Sequence, residues 1–580
     1  MKNKTNQNTK THFFITVPFI ILTLWQGGFT GLIWCLAGVC FSVFLILRPF
    51  VFPSKTVMPA LAGLIVAYIV STLLAGSHTE GWMGVIKITV VVLLIIILQS
   101  RTPNTDEIAF FAGITVAMAG LLSYSGLLPL PGMTVGGRLY GVFQYANVTA
   151  LFLAVCAFLT RLSEKRASMA VIMETALILT QSLGGLAVYA AGWIIYRIVR
   201  KDFKLSLHLG GFMLSAIMAA GILGVVLYTL VPYFAVIIPI AYITAQKPIQ
   251  KTIENISRKK WFAVSFIIIA GLAAAGFFAL RGTRPLLTFL ERAVHITDSF
   301  RVMLAYPLGL GSGNWSFHMR EYQSAWYDAT LPHCGYIQIG LSGGFLALGC
   351  VIFLIGFWLK KQKTGKYTVA ALMILVHALQ DISFLFLTVI LLLAMCMRSA
   401  LPEGALSTAV SHKRRKPIAI LFAAVAIACL TLCVPELQKN HAGWIARGGR
   451  YEEAAAELEN GVLLSNDTQA LIMRITYAAQ SGKLAELDKA FQSMKNPNSE
   501  ALHWQALYYI ERGEYTAAAE TALLCAEKSP YWEEGYELLD EIIPRLAAED
   551  REEYRRQKEM LRETARQNAH PFAKFIIRGE

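Results

Sequence analysis

Long apolar segments separated by short basic ones make up the first three quarters of the 580-residue chain. A helix needs about 20 residues to cross the hydrocarbon core of a bilayer, and fewer where the bilayer is locally thinner. We therefore predict a transmembrane helical bundle of about 12 to 15 spans. The candidate spans are 13–26, 29–47, 57–75, 83–99, 108–128, 146–160, 168–182, 184–199, 209–230, 232–246, 261–280, 335–359, 367–380, 382–397 and 417–434.

Basic residues in the connections predict how these spans are oriented. Clusters of Lys and Arg occur at 2–10, 48–55, 161–166, 197–204, 247–260, 360–366 and 413–416. The positive-inside rule places such clusters on the cytoplasmic side. An apolar region with a cluster at each end must then cross an even number of times, so 168–199, 209–246 and 367–397 are predicted hairpins. The connections left outside are 77–82, 129–146, 281–333 and everything after about residue 435.

The segment 281–333 is the longest polar interruption before residue 435. Loops of this length are usually functional or disordered, and this one is too rich in Trp and Tyr for a disordered tether. We predict that it is an active-site loop. Its basic residues include Arg281, Arg284, Arg301, Arg320, His295, His318 and His333.

After Cys433 the composition changes to Ala, Glu, Leu, Tyr and Arg at helical spacing. Gly449, Gly482 and Gly513 each begin a similar short signature, and by subtraction they lie 33 and 31 positions apart. Such a period is typical of tetratricopeptide repeats, which are stacked helix pairs. We predict a soluble helical-repeat domain over 435–580, and a generic helical domain without repeats is the alternative.

The formal net charge of +14 does not indicate nucleic-acid binding, because many of the basic residues lie in the short connections between spans. The nine cysteines are scattered without a CxxC pair, so neither a zinc site nor a disulfide framework is predicted. The predicted external loops contain no cluster of carboxylates that would hold a metal ion. We therefore expect no metal and no cofactor.

Three patches of sequence lie in the connections predicted to be external. The first is Gly137-Arg138-Leu139-Tyr140-Gly141-Val142-Phe143-Gln144-Tyr145-Ala146-Asn147. The second runs from Arg301 to Pro307-Leu308-Gly309-Leu310-Gly311, and the third is His333-Cys334-Gly335-Tyr336-Ile337-Gln338 followed by Gly340-Leu341-Ser342-Gly343. In this order they resemble the signature regions of the O-antigen ligase and Wzy-type polymerase superfamily. The resemblance covers most of residues 13–434.

The resemblance implies a bacterial membrane glycosyltransferase that moves a glycan from a polyprenyl diphosphate carrier to an acceptor hydroxyl outside the cytoplasm. A histidine near neutral pKa can take the hydroxyl proton, and guanidinium groups bind phosphate oxygens in pairs. The roles that it implies are a general base (His333) and diphosphate ligands (Arg138 and Arg301). Further candidates for supporting roles are Arg281, Arg284, Asp381 and Tyr336. His377 and Asp381 are four positions apart and would share a face of a continuing helix, where the acid can orient His333 or the acceptor. Each has a plainer alternative, since interfacial histidines cap helices, arginines anchor to headgroups and Asp381 is a turn residue.

The chain departs from the family pattern at two places. Cys334 replaces the usual Asn after the histidine, and Ser182-Leu183-Gly184 lacks the arginine that is often found at this hairpin turn. The change of composition and the predicted topology divide the chain into two domains, a transmembrane one over 1–434 and an extracytoplasmic one over 435–580. The latter is expected to recruit an acceptor or a protein partner. The acceptor stays open among a glycan, a lipid and a protein hydroxyl, and a flippase of lipid-linked saccharides or a scaffold are the rival functions.

Overall fold

The computed structural model describes residues 16–573 except 76–78, 101, 201–233, 245–283, 403–406, 410–411, 462–466, 484–486, 488–489 and 492–495. The described chain is helical almost throughout, which confirms the all-α prediction. Its strands form two small antiparallel sheets. These pair β1 (Val51–Pro53) with β4 (Ser407–Ala409), and β2 (Thr134–Val135) with β3 (Arg138–Leu139).

Residues 16–24 are helical and lead into a 3-10 turn at Gln26–Gly28. The α-helices that follow, up to residue 447, are α1 (Gly31–Leu47), α2 (Met58–Leu74), α3 (Thr79–Ser100), α4 (Thr105–Tyr124), α5 (Ala146–Arg161), α6 (Ala170–Leu179), α7 (Leu183–Arg200), α8 (Phe234–Thr244), α9 (Arg284–Ala305), α10 (Asn314–Tyr322), α11 (Gly335–Lys361), α12 (Lys366–His377), α13 (Leu387–Ser399) and α14 (His412–Arg447). Most are apolar on all sides, because the sequence there has neither a polar stripe nor the alternation of a strand.

Four helical stretches in the described part are long and apolar enough to cross a membrane. They are Thr79–Ser100, Thr105–Tyr124, Gly335–Lys361 and Arg415–Arg447. Shorter apolar helices lie where spans were predicted, for example at Gly31–Leu47, Met58–Leu74 and Ala146–Arg161. The predicted spans 209–230 and 261–280 lie outside the described residues.

The segment 281–333 contains helices where a loop was expected, namely α9 and α10. Helix α9 is amphipathic, and Val294 and Val302 on its apolar side are buried against Trp315 and Tyr327. Polar residues between these apolar positions disguise the helical spacing in the sequence. The segment therefore folds onto itself, and its two helices fix the positions of the side chains they carry.

The glycine-rich turn before α10 packs into a kink of α11. Gly344 has a φ of +72° inside that helix, and a Cβ there would lie 2.5 Å from the carbonyl oxygen of Pro307. The amide of Phe345 donates to the same oxygen at 2.9 Å, and the amide of Leu310 donates to Leu341 O at 2.7 Å. These two family-like patches thus meet through backbone contacts that only glycine permits.

A buried ion pair joins three of the apolar helices. Glu174 in α6 accepts from Arg161 Nε at 3.1 Å and forms a second contact with the Nη2 of the same guanidinium. Tyr189 in α7 donates its hydroxyl to Glu174 Oε1 at 2.6 Å. The carboxylate is inaccessible to solvent, so these hydrogen bonds compensate for its desolvation.

The C-terminal part consists of α15 (Tyr451–Glu459), α16 (Thr468–Gln480), α17 (Ser499–Glu511), α18 (Tyr515–Lys528), α19 (Glu533–Ile542) and α20 (Ala548–Asn568). Gly449, Gly482 and Gly513 occupy turns and share a left-handed backbone, with φ of +75°, +73° and +75°. The periodic glycines of the sequence therefore mark equivalent corners between helices.

Two sets of contacts fix these helices to the rest of the chain. Near the end of α14, Lys439 Nζ lies 3.0 Å from Asp467 Oδ2. Close by, the amide of Gln469 donates to Glu80 Oε1 at 3.1 Å. Both contacts tie α16 to the apolar helices.

The second set of contacts is made by the folded segment 284–333. The guanidinium carbon of Arg320 lies 4.0 Å from the ring centroid of Trp532. Asn498 Nδ2 donates to the carbonyl oxygen of Phe317 at 2.9 Å. The C-terminal helices therefore rest directly on α10, which leads to the segment with His333.

Candidate functional site

A cavity of about 660 Å³ lies where the β2–β3 hairpin, the start of α7, helix α9 and the chain after α12 meet. Two residues singled out in the sequence, Arg138 and Asp381, line it together with Arg292. We call it the arginine cavity. Its lining is Val135, Gly136, Arg138, Asn147, Gln181, Leu183, Gly184, Thr288, Phe289, Arg292, His377, Gln380 and Asp381.

Arg138 is presented by the β2–β3 hairpin, whose two-residue turn is Gly136-Gly137. Both glycines have positive φ, +54° and +70°, as a tight turn between twisted strands requires. The guanidinium donates from Nε to Thr180 O at 2.6 Å and from Nη2 to Asn147 Oδ1 at 3.0 Å. Burial lowers the pKa of Arg138, but a guanidinium in a protein remains charged. The hairpin and these two bonds fix a positive charge at the cavity wall.

Asn147 connects Arg138 to Asp381. Its Oδ1 also accepts from Ser182 Oγ at 2.9 Å, and its Nδ2 donates to Asp381 Oδ2 at 2.8 Å. The other oxygen of Asp381 accepts from the Ile382 amide at 2.7 Å. Both carboxylate oxygens are therefore satisfied, and the negative charge has a fixed position.

Arg292 enters this network from α9, and the sequence analysis did not single it out. Its Nη1 donates to Gln380 O at 3.0 Å, and its Nη2 lies 3.7 Å from Asp381 Oδ2. The side chain is 26% exposed, so its charge is partly desolvated and still reaches the cavity. After burial, the charge of Arg292 contributes to the lowered pKa of Arg138. Two guanidinium groups thus act on one cavity.

Arg301 lies on the same helix but points elsewhere. The two arginines are nine positions apart (301 − 292), which is about two and a half helical turns and therefore opposite faces. The Arg301 side chain is 63% exposed, lies 3.6 Å from Asp298 Oδ1 and lines neither of the cavities described here. Its role in diphosphate binding stays a prediction.

The remaining site residues predicted from the sequence are Arg281, Arg284 and Tyr336. Arg281 lies outside the described residues, and Arg284 begins α9 with a side chain that also lies outside the description. Tyr336 donates its hydroxyl to Leu375 O at 3.1 Å. This bond ties the start of α11 to α12, so we assign Tyr336 a positional part.

A second cavity of about 390 Å³ lies beside the first. Asp381 lines the arginine cavity, and its neighbour Ile382 lines the second one, so a single turn of chain forms part of both walls. We call the second one the aromatic cavity. Its lining is Gln26, Phe29, Phe143, Gln144, Tyr145, Asp328, Ala329, Thr330, Leu331, His333, Ile382 and Phe386.

His333 lines the aromatic cavity just before α11. Its Nδ1 is buried and makes no hydrogen bond with a described residue. Burial lowers the pKa of His333, the nearby charge of Arg292 lowers it further, and Asp381 acts in the opposite direction. The imidazole is therefore neutral at neutral pH and has a lone pair that can accept a proton.

Two further histidines lie near these cavities. The ring of His295 meets that of His333 edge-on with centroids 5.9 Å apart, and burial lowers the pKa of His295 to about 3. His377 lines the arginine cavity, and its Nδ1 lies 2.8 Å from Ser383 Oγ. The sequence suggested that His377 and Asp381 share the face of a continuing helix. Helix α12 ends at His377, and a turn brings both side chains to the cavity.

The linings of the two cavities together include two guanidinium groups, two carboxylates (Asp381 and Asp328) and two imidazoles, those of His333 and His377. This combination can bind a polyanionic group and accept a proton from a nearby hydroxyl. Across the described residues, no three His, Cys, Asp or Glu side chains are grouped as metal ligands. None of the family models, characterised proteins and solved structures compared with the chain matches it.

Proposed function

We propose that this protein is a membrane glycosyltransferase of the O-antigen ligase and polymerase type. It would transfer a glycan from a polyprenyl diphosphate carrier to an acceptor hydroxyl. The observation that carries the proposal is that Arg138 and Arg292 act on one cavity while His333 lies in the adjoining one. The sequence resemblance supplies the reaction class, and the geometry supplies a place for each chemical part.

The arginine cavity is assigned to the donor diphosphate, with Arg138 and Arg292 as its ligands. A diphosphate leaving group gains negative charge as its bond to the sugar breaks. Guanidinium groups with fixed positions stabilise that charge more in the transition state than in the ground state. Exposed apolar side chains of Leu183 and Phe289 form part of the rim and suit a site reached from lipid.

His333 is assigned the role of general base. The acceptor hydroxyl oxygen attacks the anomeric carbon, and its proton passes to the imidazole of His333. The carbon–oxygen bond to the diphosphate breaks, and the bonding pair leaves with the polyprenyl diphosphate. Attack from the side opposite the leaving group inverts the anomeric carbon, as the resemblance implies. Asp381 holds Asn147, and through it Arg138, in position.

The membrane placement is part of the same proposal. The four long apolar helices and the shorter ones would form a multi-pass bundle in a bacterial cell membrane. The helices after residue 447 would be a tetratricopeptide-like domain outside the cytoplasm, available to an acceptor or a protein partner. The contacts of Arg320 and Asn498 support this arrangement, because they join the C-terminal helices to the segment that leads to His333.

Purified protein in lipid nanodiscs tests the reaction, with a labelled polyprenyl-diphosphate oligosaccharide as donor and a membrane extract as the acceptor source. We expect acceptor-dependent release of polyprenyl diphosphate, and its loss in His333→Ala. The matched control is His318→Ala, a histidine of the same segment that pairs with Glu321 at 2.8 Å outside both cavities. Equal release by all three proteins would remove His333 from the chemistry.

The same preparation discriminates the rival function. If reconstituted vesicles move the labelled lipid across the bilayer and never release the carrier, the protein is a transporter of lipid-linked saccharides. If the label passes to serine or threonine peptides and not to a saccharide, it is a protein O-oligosaccharyltransferase. The first result contradicts the transferase, and the second identifies its acceptor as a protein hydroxyl.

A further inference from the structure

The walls of the aromatic cavity combine ring faces with side-chain amides. Phe386 is at the centre of the aromatic group, with ring centroids 5.1 Å from Phe29, 5.8 Å from Phe143 and 6.4 Å from Tyr145. Aromatic faces carry negative partial charge and attract the polarised C–H groups of a sugar ring. A mostly apolar wall with few convergent polar groups is typical of a small-molecule site.

Two glutamines form the polar part of this cavity and have an unusual backbone. Gln26 and Gln144 have φ of +50° and +52°, and Gln26 Nε2 donates to Gln144 Oε1 at 3.0 Å. Among the described non-glycine residues, Gln181 is the third with a positive φ, and it lines the arginine cavity. Left-handed backbone is costly for residues with a Cβ, and such residues are typically kept where function requires them.

The backbone at Gly27 packs closely against the wall of the aromatic cavity. A Cβ at this position would lie 2.2 Å from the ring of Phe143, and its φ is +63°. Only glycine lets the turn at Gln26–Gly28 approach that ring. The turn therefore presents the Gln26 amide and the Phe143 ring to the same space.

We infer that the aromatic cavity is the acceptor subsite and that it binds a neutral sugar ring, an inference that rests on the proposed function. The rings take the C–H face of the sugar, and the amides of Gln26 and Gln144 take adjacent hydroxyl groups. His333 lines the same cavity, so one further hydroxyl meets the base. Ile382 and Asp381 place that hydroxyl next to the donor cavity.

The charge of the lining selects against acidic acceptors. Among the described residues, no lysine or arginine lines the aromatic cavity, while Asp328 contributes a carboxylate. A uronic acid or another anionic sugar would meet this carboxylate, and the described lining offers it no cation in direct contact. A neutral hexose or N-acetylhexosamine meets only hydrogen-bonding groups. None of the described residues that line the cavity belongs to a strand, so they offer no edge with which an extended peptide would pair.

Position 144 permits a test in which the fold is not at risk. Gln144→Gly removes the amide and suits the positive φ, whereas Gln144→Asn keeps an amide in a residue that tolerates this backbone. Gln567→Ala is the matched control, because this glutamine donates to Glu563 within α20 and lines neither cavity. Binding is measured in nanodiscs by saturation-transfer NMR, with methyl glycosides of neutral disaccharides, their uronic acid counterparts and a Ser/Thr peptide as probes.

The neutral glycosides should bind, and Gln144→Gly should weaken their binding by about three- to tenfold, the range for one lost hydrogen bond. Gln144→Asn should lie between the parent and Gln144→Gly, and Gln567→Ala should match the parent. Equal binding by the parent and Gln144→Gly overturns the subsite, as does preference for the uronic acid or the peptide.

Release of polyprenyl diphosphate is followed in the same samples. Neutral glycosides that bind at Gln144 without any release would leave the subsite standing and refute the transferase. Release of polyprenyl diphosphate without glycoside binding would support the transferase and refute the subsite. The acceptor KM in the transfer assay should rise in Gln144→Gly while the donor KM stays constant.

Discussion

Replacing Arg292 with Gln tests whether Arg292, and not the Arg301 suggested by the sequence, binds the donor diphosphate. The matched variant is Arg301→Gln, which removes the same charge from the opposite face of the same helix. Arg292 reaches Asp381 and the carbonyl of Gln380, whereas Arg301 is 63% exposed and contacts Asp298. Only the first variant changes the charge at the arginine cavity.

The expected magnitude follows from these contacts. Removal of one fixed donor to a developing anion costs about 10²- to 10³-fold in rate. The effect on folding is modest, because the variant loses only the contact with Asp381 at 3.7 Å and the hydrogen bond to Gln380 O, a loss of about 1 to 3 kcal/mol. Asp381 keeps its bonds to the Ile382 amide and to Asn147 in the variant, so no buried charge is left without a partner.

The assay is the release of polyprenyl diphosphate at varied donor concentration, together with the Tm of each protein in detergent. We expect Arg292→Gln to lower kcat/KM by about two to three orders of magnitude with little change in Tm, and Arg301→Gln to resemble the parent. The reasoning is refuted if Arg301→Gln is the defective variant or if both retain full rate. A fall in rate matched by loss of folded protein would likewise remove the electrostatic explanation.

The remaining predictions concern proton transfer, the core and the C-terminal helices. Since His333 must be neutral to act as a base, kcat/KM should fall as the pH drops through the lowered pKa of His333. Asp381→Asn removes a charge that raises this pKa, so the acidic limb of the pH profile should move to lower pH. A move to higher pH would contradict the role of Asp381. Glu174→Ala should destabilise the protein by about 3 to 5 kcal/mol because it leaves the Arg161 charge buried, and a second change at Arg161 should restore part of the loss; an unchanged Tm would contradict the buried pair. Arg320→Ala should raise hydrogen exchange in α10 and at the start of α19, because it removes the contact with the ring of Trp532, worth about 1 to 2 kcal/mol. Equal exchange would show that the other contacts suffice.

Arg292 allows a second test of the pH dependence, in which the acidic limb should shift in the opposite direction. Arg292 lowers the pKa of His333, after burial as the main cause. Arg292→Gln should therefore move the acidic limb of kcat/KM to higher pH, while Asp381→Asn moves it to lower pH. Shifts of the same sign in both variants would show that the limb belongs to a group other than His333.

The sequence by itself determined the all-α class and the apolar segments, because long runs of apolar residues and a period near 3.6 are local properties. It also identified Arg138, Asp381 and His333 as candidate site residues, because they lie in connections with unusual composition. These three line the two cavities. The glycine period of the C-terminal part is likewise readable, since each repeat corner needs the same left-handed residue.

The tertiary structure decided what depends on packing between distant segments. The choice between Arg292 and Arg301 rests on the rotational phase of α9, which is fixed by the burial of Val294 and Val302 against the folded segment. Polar residues between apolar ones hid that helix in the sequence. The aromatic cavity joins residues near 26, 144, 333 and 386, and no local pattern links positions so far apart. Side chains acquire these neighbours only when the helices pack.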